Sequence, residues 1–460
     1  MAEVSSRTVI AEGISATFAQ AATWVNGRLL GRDGSFHGAG SDSRSIAMGM
    51  LFIALRGPNH DGHDHVAAAA ACGAAAALVE RELPVPIPQI IVTDTHAALG
   101  LLGAAWRQRL GLPLVAITGS NGKTTVKEMT AAILSRAGTT LATRGNLNND
   151  IGVPLTLMRL DESYRYGVIE MGANHPGEIA YLTNLVRPQV AVITNAGAAH
   201  LEGFGSIEGV ARAKGEIYSG LAAEGCAVIN ADDAHAELWR TLAANCRVLS
   251  FGIDKPADVS AQWQGDVHGS RLQLSTPAGQ ADVKLALPGR HNVLNALAAT
   301  AAALAMGVGL DAVVAGLQGL APVGGRMQIR QGLHGATIID DSYNANPVSL
   351  RAGIDVLAAC QGRRYLALGD MGELGADTER HHAEAGTYAR QVGIDGLYAT
   401  GPLSRLAVEA FGERGYHFAD QQQLISALKP ELDAGVTVLV KGSRSSRMEW
   451  VVAGLTEVQK

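Results

Sequence analysis

Ten residues, Ala116-Ile-Thr-Gly-Ser-Asn-Gly-Lys-Thr-Thr125, combine glycines, a lysine and hydroxyls at a spacing suited to a triphosphate. Glycine lets backbone N–H groups approach phosphate oxygens, and a helix N-terminus adds positive potential. In such a loop Gly119, Ser120, Asn121, Gly122 and Thr125 line the phosphates. Lys123 reaches the β- and γ-phosphates, and the Thr124 hydroxyl meets Mg2+. The commonest phosphate loop carries glycine where this chain has Ile117, so the match is incomplete. The loop needs a strand before it and a helix after it. An apolar run at 114–117 and an amphipathic stretch at 123–136 supply that context.

Other chemistry-bearing residues also fall just after apolar runs, where α/β proteins place their sites. Glu170 follows one such run in Val168-Ile-Glu-Met-Gly, and His200 ends Ile193-Thr-Asn-Ala-Gly-Ala-Ala-His. Lys214 lies in Arg212-Ala-Lys-Gly-Glu on a helical stretch, and Asn148 in Gly145-Asn-Leu-Asn-Asn. Asn292 and Asn295 share one helix face in Gly289-Arg-His-Asn-Val-Leu-Asn. Arg326 sits in Gly324-Gly-Arg-Met-Gln, and Asp341, Tyr343, Asn344 and Asn346 in Asp340-Asp-Ser-Tyr-Asn-Ala-Asn-Pro347. Two further segments, Leu368-Gly-Asp-Met-Gly-Glu-Leu374 and Lys441-Gly-Ser-Arg444, also end strand-like runs. On residue type alone each has an ordinary alternative. Glu170 could be a solvated acid, Lys214 a paired surface lysine, Arg326 an interface ion-pair partner and Asn292 a helix cap. His381 and His382 carry no assignable role.

The elements that must hold these residues follow from length and pattern. A chain of 460 residues suggests about three domains of ~150 each. Apolar residues make up 47% and aromatics only 5%, which favours closely packed helix–sheet layers. The expected fold is α/β in three domains. A smaller α/β unit (1–95) precedes a central doubly wound parallel sheet with the phosphate loop (96–326), and a Rossmann-like unit (327–460) follows. The stretch 259–287 alternates polar and apolar residues and suits antiparallel strands. Hinges are expected near 95 and 326. The net charge of -6, with no Lys/Arg cluster, argues against nucleic acid. The four cysteines form no Cys-x-x-Cys pair. No apolar run reaches membrane-spanning length, and no secretory leader is evident, so a cytoplasmic monomer is expected.

Taken together, the order and spacing of these segments resemble the Mur ligase family across almost the whole chain. Ser41-Asp-Ser-Arg44, Gly49-Met-Leu-Phe-Ile-Ala-Leu-Arg-Gly57 and Asp61-Gly-His63 resemble that family's uridine-nucleotide unit. The last-unit segments resemble the branch that adds a dipeptide. The resemblance implies ATP-driven amide formation through an acyl phosphate. UDP-N-acetylmuramoyl-tripeptide and D-alanyl-D-alanine would be the substrates, and ATP and Mg2+ the cofactors. It further implies Lys123, Glu170, His200 and Lys214 as catalytic residues. Thr124, Glu170, His200 and a carbamylated Lys214 would serve metal, and Asn292, Asn295, Arg326 and Asp341 the nucleotide. Asp42, Ser43, Arg44, Asn148, Tyr343, Asn344, Asn346, Lys441, Ser443 and Arg444 would contact the other substrates. Two alternatives remain at this point: a folylpolyglutamate-type ligase on the same scaffold, and a nucleotide-hydrolysing switch. The Asp-Ser-Arg segment argues against the first, and Glu170 in place of a strand-end Asp against the second.

Overall fold

Strands that read as unbroken apolar runs must be covered on both faces, and parallel sheets meet that need. The computed structural model describes residues 11–457 other than 199, 200, 223 and 322, with the backbone alone at 201 and 376. In it Leu114–Thr118, Tyr166–Glu170, Val190–Ile193, Cys226–Asn230 and Arg247–Phe251 join Thr140–Ala142 in one six-stranded sheet, paired in parallel throughout. Leu114–Thr118 lies between Tyr166–Glu170 and Val190–Ile193, which puts the phosphate loop at the middle of the sheet's C-terminal edge. Helices Lys123–Leu134 and Arg290–Ala305 cover one face, and Glu178–Val186 and Ile207–Gly215 the other. The expected antiparallel piece is the three-stranded sheet Ser260–Asp266, Gly269–Thr276 and Gly279–Leu285.

The last unit repeats the plan. Thr337–Asp341, Val436–Lys441, Arg363–Leu368, Gly396–Thr400 and Gly415–Phe418 run parallel, with Gln328–Gln331 antiparallel at the edge. The first sheet is mixed. Ser35–Gly40, Leu51–Ile53, Ala76–Val79 and Gln89–Ile91 are parallel, with Ala11–Thr17 and Arg28–Leu30 antiparallel at the two edges. These two edge strands, and Ser35–Gly40 among the parallel ones, give no signal in the sequence; they are short or lack a continuous apolar run.

Helix Thr95–Leu110 belongs to two cores at once. Ala98, Leu99, Leu102 and Trp106 pack into the first sheet's core, together with Leu155 and Met158 from the middle of the chain. Its smallest residues face that middle part: a Cβ on Gly103 would lie 3.0 Å from the Pro154 backbone. Arg107 donates to the carbonyls of Val186 (2.9 Å) and Arg187 (3.3 Å), closing the C-terminal end of Glu178–Val186.

Candidate functional site

The phosphate loop is set by steric necessity at two glycines. Gly119 has φ +149°, and a Cβ there would lie 1.9 Å from Thr194 Oγ1. Gly122 has φ +81°, and a Cβ would lie 2.3 Å from Asn295 Oδ1. Ile117, the departure from the common pattern, is a fully buried strand residue. The positive φ values come later, at Gly119 and Gly122. Helix Lys123–Leu134 begins at Gly122 with no side-chain cap, so its first N–H groups are left for a ligand. Lys123 Nζ donates to the carbonyls of Gly119 (2.6 Å) and Ser120 (3.4 Å), and desolvation lowers its pKa.

The adjoining strand end braces the loop. Ser120 N donates to Asn195 O (3.0 Å) and Asn121 N to Asn195 Oδ1 (3.0 Å). Thr194 Oγ1 and Asn195 Nδ2 both donate to Asn121 O. Sequence reasoning on the segment 193–200 singles out its histidine and passes over Thr194 and Asn195, although both stand in the same motif. His200 itself lies outside the described residues.

Glu170 ends its strand fully buried between two partners. Its Oε2 accepts from Thr124 Oγ1 at 3.0 Å and its Oε1 from Asn148 Nδ2 at 2.9 Å. Behind it a second lysine supports the backbone. Lys127 is 1% exposed and donates to Thr143 O at 2.8 Å, and Thr143 Oγ1 accepts the Glu170 N–H at 3.0 Å. Lys214 is also 1% exposed, with Nζ 5.5 Å from the Phe204 ring centroid. Burial, reinforced by Lys123, pulls its pKa down to about 7.

The third unit meets the loop directly. Arg326 Nη2 donates to Thr124 Oγ1 at 3.0 Å, and its guanidinium lies 4.4 Å from the Tyr343 ring centroid. Asn346 caps helix Pro347–Ala358 and donates through Nδ2 to Asn121 Oδ1 at 2.6 Å. Asp341 is ion-paired with buried Lys441, which also donates to Asn344 O at 3.0 Å. The Asp341–Lys441 pair joins residues that the family resemblance assigns to separate ligands. Ser443 Oγ bonds the hydroxyls of Ser445 and Ser446, and Arg444 donates to Glu449 at 3.2 Å while its guanidinium lies 5.9 Å from Tyr343.

A cavity of about 920 Å³ runs between the middle and last units. It brings together Ser120 to Thr125, Asn148, Glu170, Asn292, Asn295, Arg326, Asp341, Tyr343, Asn344, Asn346 and Lys441. Phe251, Trp263, Leu294 and Ala298 give it an apolar side suited to a planar base. Asn292 is the third residue of helix Arg290–Ala305, which Gly289 caps. Its Nδ2 donates to Pro288 O (2.8 Å) and its Oδ1 accepts from Asn295 (3.1 Å), so it is no helix cap. Neighbouring His291, which no sequence signal singles out, is pushed down to about 4 by burial and stays neutral. Gly119, Lys214, Ser443 and Arg444 do not line this cavity. Nor do Asp42, Ser43 and Arg44, which occupy a turn after Ser35–Gly40. There Arg44 donates to Asp42 through Nε (2.9 Å) and Nη2 (2.7 Å), lowering the Asp42 pKa.

Among the described residues no three or more His, Cys, Asp and Glu side chains gather as a metal site. The Thr124–Glu170 pair is nevertheless a hard-oxygen donor set, compatible with Mg2+ when phosphate and water supply the remaining ligands.

Three family models match in order along the chain. They are the "Mur ligase family, catalytic domain" (35–107), the "Mur ligase middle domain" (117–303) and the "Mur ligase, glutamate ligase domain" (325–444). A UDP-N-acetylmuramoyl-tripeptide--D-alanyl-D-alanine ligase of Escherichia coli is 48% identical over 448 residues, covering 96% of this chain and 99% of the relative. A crystal structure of MurF from Acinetobacter baumannii superposes with a TM-score of 0.92 at 38% identity, covering 96% of this chain and 99% of that one. MurF from Thermotoga maritima in complex with ADP gives 0.83 at 28%, covering 90% and 96%. With its three-unit α/β architecture, its glycine-lined loop and these matches along nearly its whole length, this chain belongs to the Mur ligase family.

Proposed function

We propose that the chain is the ATP-dependent ligase that joins D-alanyl-D-alanine to UDP-N-acetylmuramoyl-tripeptide in peptidoglycan precursor synthesis. The products are the pentapeptide, ADP and phosphate. The carrying observation is the single cavity in which Lys123, Thr124 and Glu170 face Arg326, Asp341 and Tyr343. Relatives that span more than nine-tenths of the chain and bear this activity in their names support the reading.

A carboxylate is a poor electrophile until an oxygen takes the γ-phosphoryl group from ATP. The dipeptide amine, having lost a proton, then attacks the acyl carbon and phosphate leaves. Two anions meet in the first step, so cationic groups are needed at the point of attack. Lys123 and the uncapped helix N-terminus serve the β- and γ-phosphates, and Arg326 reaches the same place from the third unit. Mg2+, held by Thr124 and Glu170, would neutralise phosphate charge. The Asn148 amide fixes the second Glu170 oxygen. His200 is proposed as a further metal ligand. Lys214 is proposed to carry a carbamate, because a buried amine with a pKa near 7 is nucleophilic toward CO2 at neutral pH.

The three units would divide the ligands. Residues 1–95, with Asp42, Ser43 and Arg44, take the UDP-linked peptide, and 96–326 take ATP. Residues 327–460, with Asn344, Asn346, Lys441, Ser443 and Arg444, take the dipeptide. Closure about residues 324–327 would shield the acyl phosphate from water; Gly325 and Met327 there have φ +70° and +51°. Among the described residues no helix is long and apolar enough to cross a membrane. A cytoplasmic monomer is the proposed working form.

The test is phosphate release with each ligand omitted in turn. Release that requires ATP, UDP-N-acetylmuramoyl-tripeptide and D-alanyl-D-alanine together is expected. Release independent of both acceptors would overturn the assignment in favour of a nucleotide switch.

A further inference from the structure

The incoming dipeptide is a zwitterion, so its site needs an anion for the ammonium as well as a cation for the carboxylate. The two acidic segments that follow the central strands of the last sheet contain four acids: Asp340, Asp341, Asp370 and Glu373. Three of them support the fold. Asp340 accepts from Ser342 Oγ (2.6 Å) and Arg330 Nε (3.1 Å). Asp341 is paired with Lys441. Asp370 Oδ1 accepts from Ser404 N (2.7 Å) and Oγ (2.6 Å), opening helix Ser404–Phe411.

Glu373 is presented differently. Met371 and Leu374 on either side are buried in the core, while Gly372 and Glu373 are exposed. The Met371 N–H donates to His382 Nε2 at 2.9 Å, and the His382 Nδ1–H donates to Thr378 O at 2.7 Å. His382 is therefore a neutral strut, fully buried, whose two ring nitrogens hold the loop. Asp370 O accepts from Ser443 N (2.8 Å), tying the loop to the Lys441-Gly-Ser-Arg turn. Glu373 is forced to φ +62°, a conformation that costs a non-glycine residue about 1–2 kcal/mol. Strain of this kind persists where the surroundings over-determine it, and it clusters at functional sites.

The loop also faces the reacting centre. A Cβ on Gly375 would lie 3.4 Å from Glu202 Cγ, in the helix that carries Phe204 beneath Lys214. The Glu373 charge is felt at Lys123, where it opposes the effect of desolvation.

Resting on the ligase reading above, we propose that Glu373 receives the α-ammonium of the incoming dipeptide and sets the amine facing the activated carboxyl. His382 is the positioning residue that holds its loop. The Glu373 side chain thus distinguishes a zwitterionic acceptor from an acid that lacks the amine.

The experiment compares wild type, Glu373→Gln and Glu373→Gly in steady-state phosphate release. Propanoyl-D-alanine, the des-amino analogue of D-alanyl-D-alanine, serves as competitor. In Glu373→Gln the dipeptide KM should rise at least tenfold, with the ATP KM within twofold of wild type. Wild type should prefer D-alanyl-D-alanine over the analogue at least tenfold, and that preference should fall toward one. In Glu373→Gly, which relieves the backbone, the melting temperature should hold or rise while the dipeptide KM still rises. An unchanged dipeptide preference, or an effect confined to the ATP KM, removes the Glu373 assignment and leaves the ligase reading intact. If wild type in the same assay shows no turnover dependent on all three substrates, the ligase reading fails and this assignment with it.

Discussion

The middle and last sheets share one architecture, and both carry their polar residues at the C-terminal edge, yet they are prepared for opposite tasks. At the middle sheet the loop is charged and unsatisfied: Lys123 donates to two carbonyls of its own loop, and the helix start has no side-chain cap. At the last sheet charge is balanced in place, Lys441 by Asp341 and Arg444 by Glu449. A triphosphate brings several negative charges and rewards a positive, preformed cradle. A zwitterion brings none in net, and an uncompensated cation there would only incur desolvation. Net ligand charge thus accounts for which edge stays unpaired.

The comparison is broken most directly at its balanced side. Lys441→Met strands Asp341 and should destabilise the protein by about 3–5 kcal/mol, whereas adding Asp341→Asn should return most of that loss. Denaturant unfolding of the two single variants and the double variant measures it; equal losses in all three would mean the pair is not coupled.

At the unbalanced side, Lys123→Ala should change stability little, because the bonds it gives up lie within its own loop. It should lower kcat/KM for ATP by about 10²–10³. A comparable fall in melting temperature would show that the lysine serves the fold. Gly122→Ala lies between the two cases. The new Cβ meets Asn295 at a positive φ, and a loss of about 1–3 kcal/mol with a raised ATP KM is expected.

The mildest test concerns the protonation of Lys214. With its folded pKa near 7, the amine is neutral above that pH and protonated below it. In metal-free protein given 13C-bicarbonate, a carbamate signal should strengthen as pH rises through about 7 and be absent from Lys214→Met. Because the unfolded lysine keeps its proton up to its ordinary value, stability should also rise with pH between about 7 and 10. A signal unchanged in the variant would reassign it to another amine.

Much of the fold and of the site is legible in the amino-acid sequence. Strands such as Leu114–Thr118 and Val190–Ile193 are continuous apolar runs, and the residues after them are where parallel sheets form sites. Glu170 and Thr124, 46 residues apart in sequence, are expected as partners and stand 3.0 Å apart. What the sequence hides is what depends on three-dimensional closure. Asn195 looks like any turn asparagine until it is seen bonded to Asn121. Lys127 reads as a helix-surface lysine until its carbonyl partner and its burial are known. The pairing of Asp341 with Lys441 spans a hundred residues, so neither position alone reveals that each satisfies the other. Edge strands Thr140–Ala142 and Gly415–Phe418 escape detection because their short segments carry no continuous apolar signal.

The helix Thr95–Leu110, shared between two cores, bears on how such proteins can be recombined. Cutting at the proline-rich stretch before it would not liberate the first sheet, since Leu102, Trp106, Leu155 and Met158 all lie beyond the cut and complete its interior. A chimaera that borrows this sheet from another relative must therefore transplant the seam as well, or accept a hole where those side chains had been.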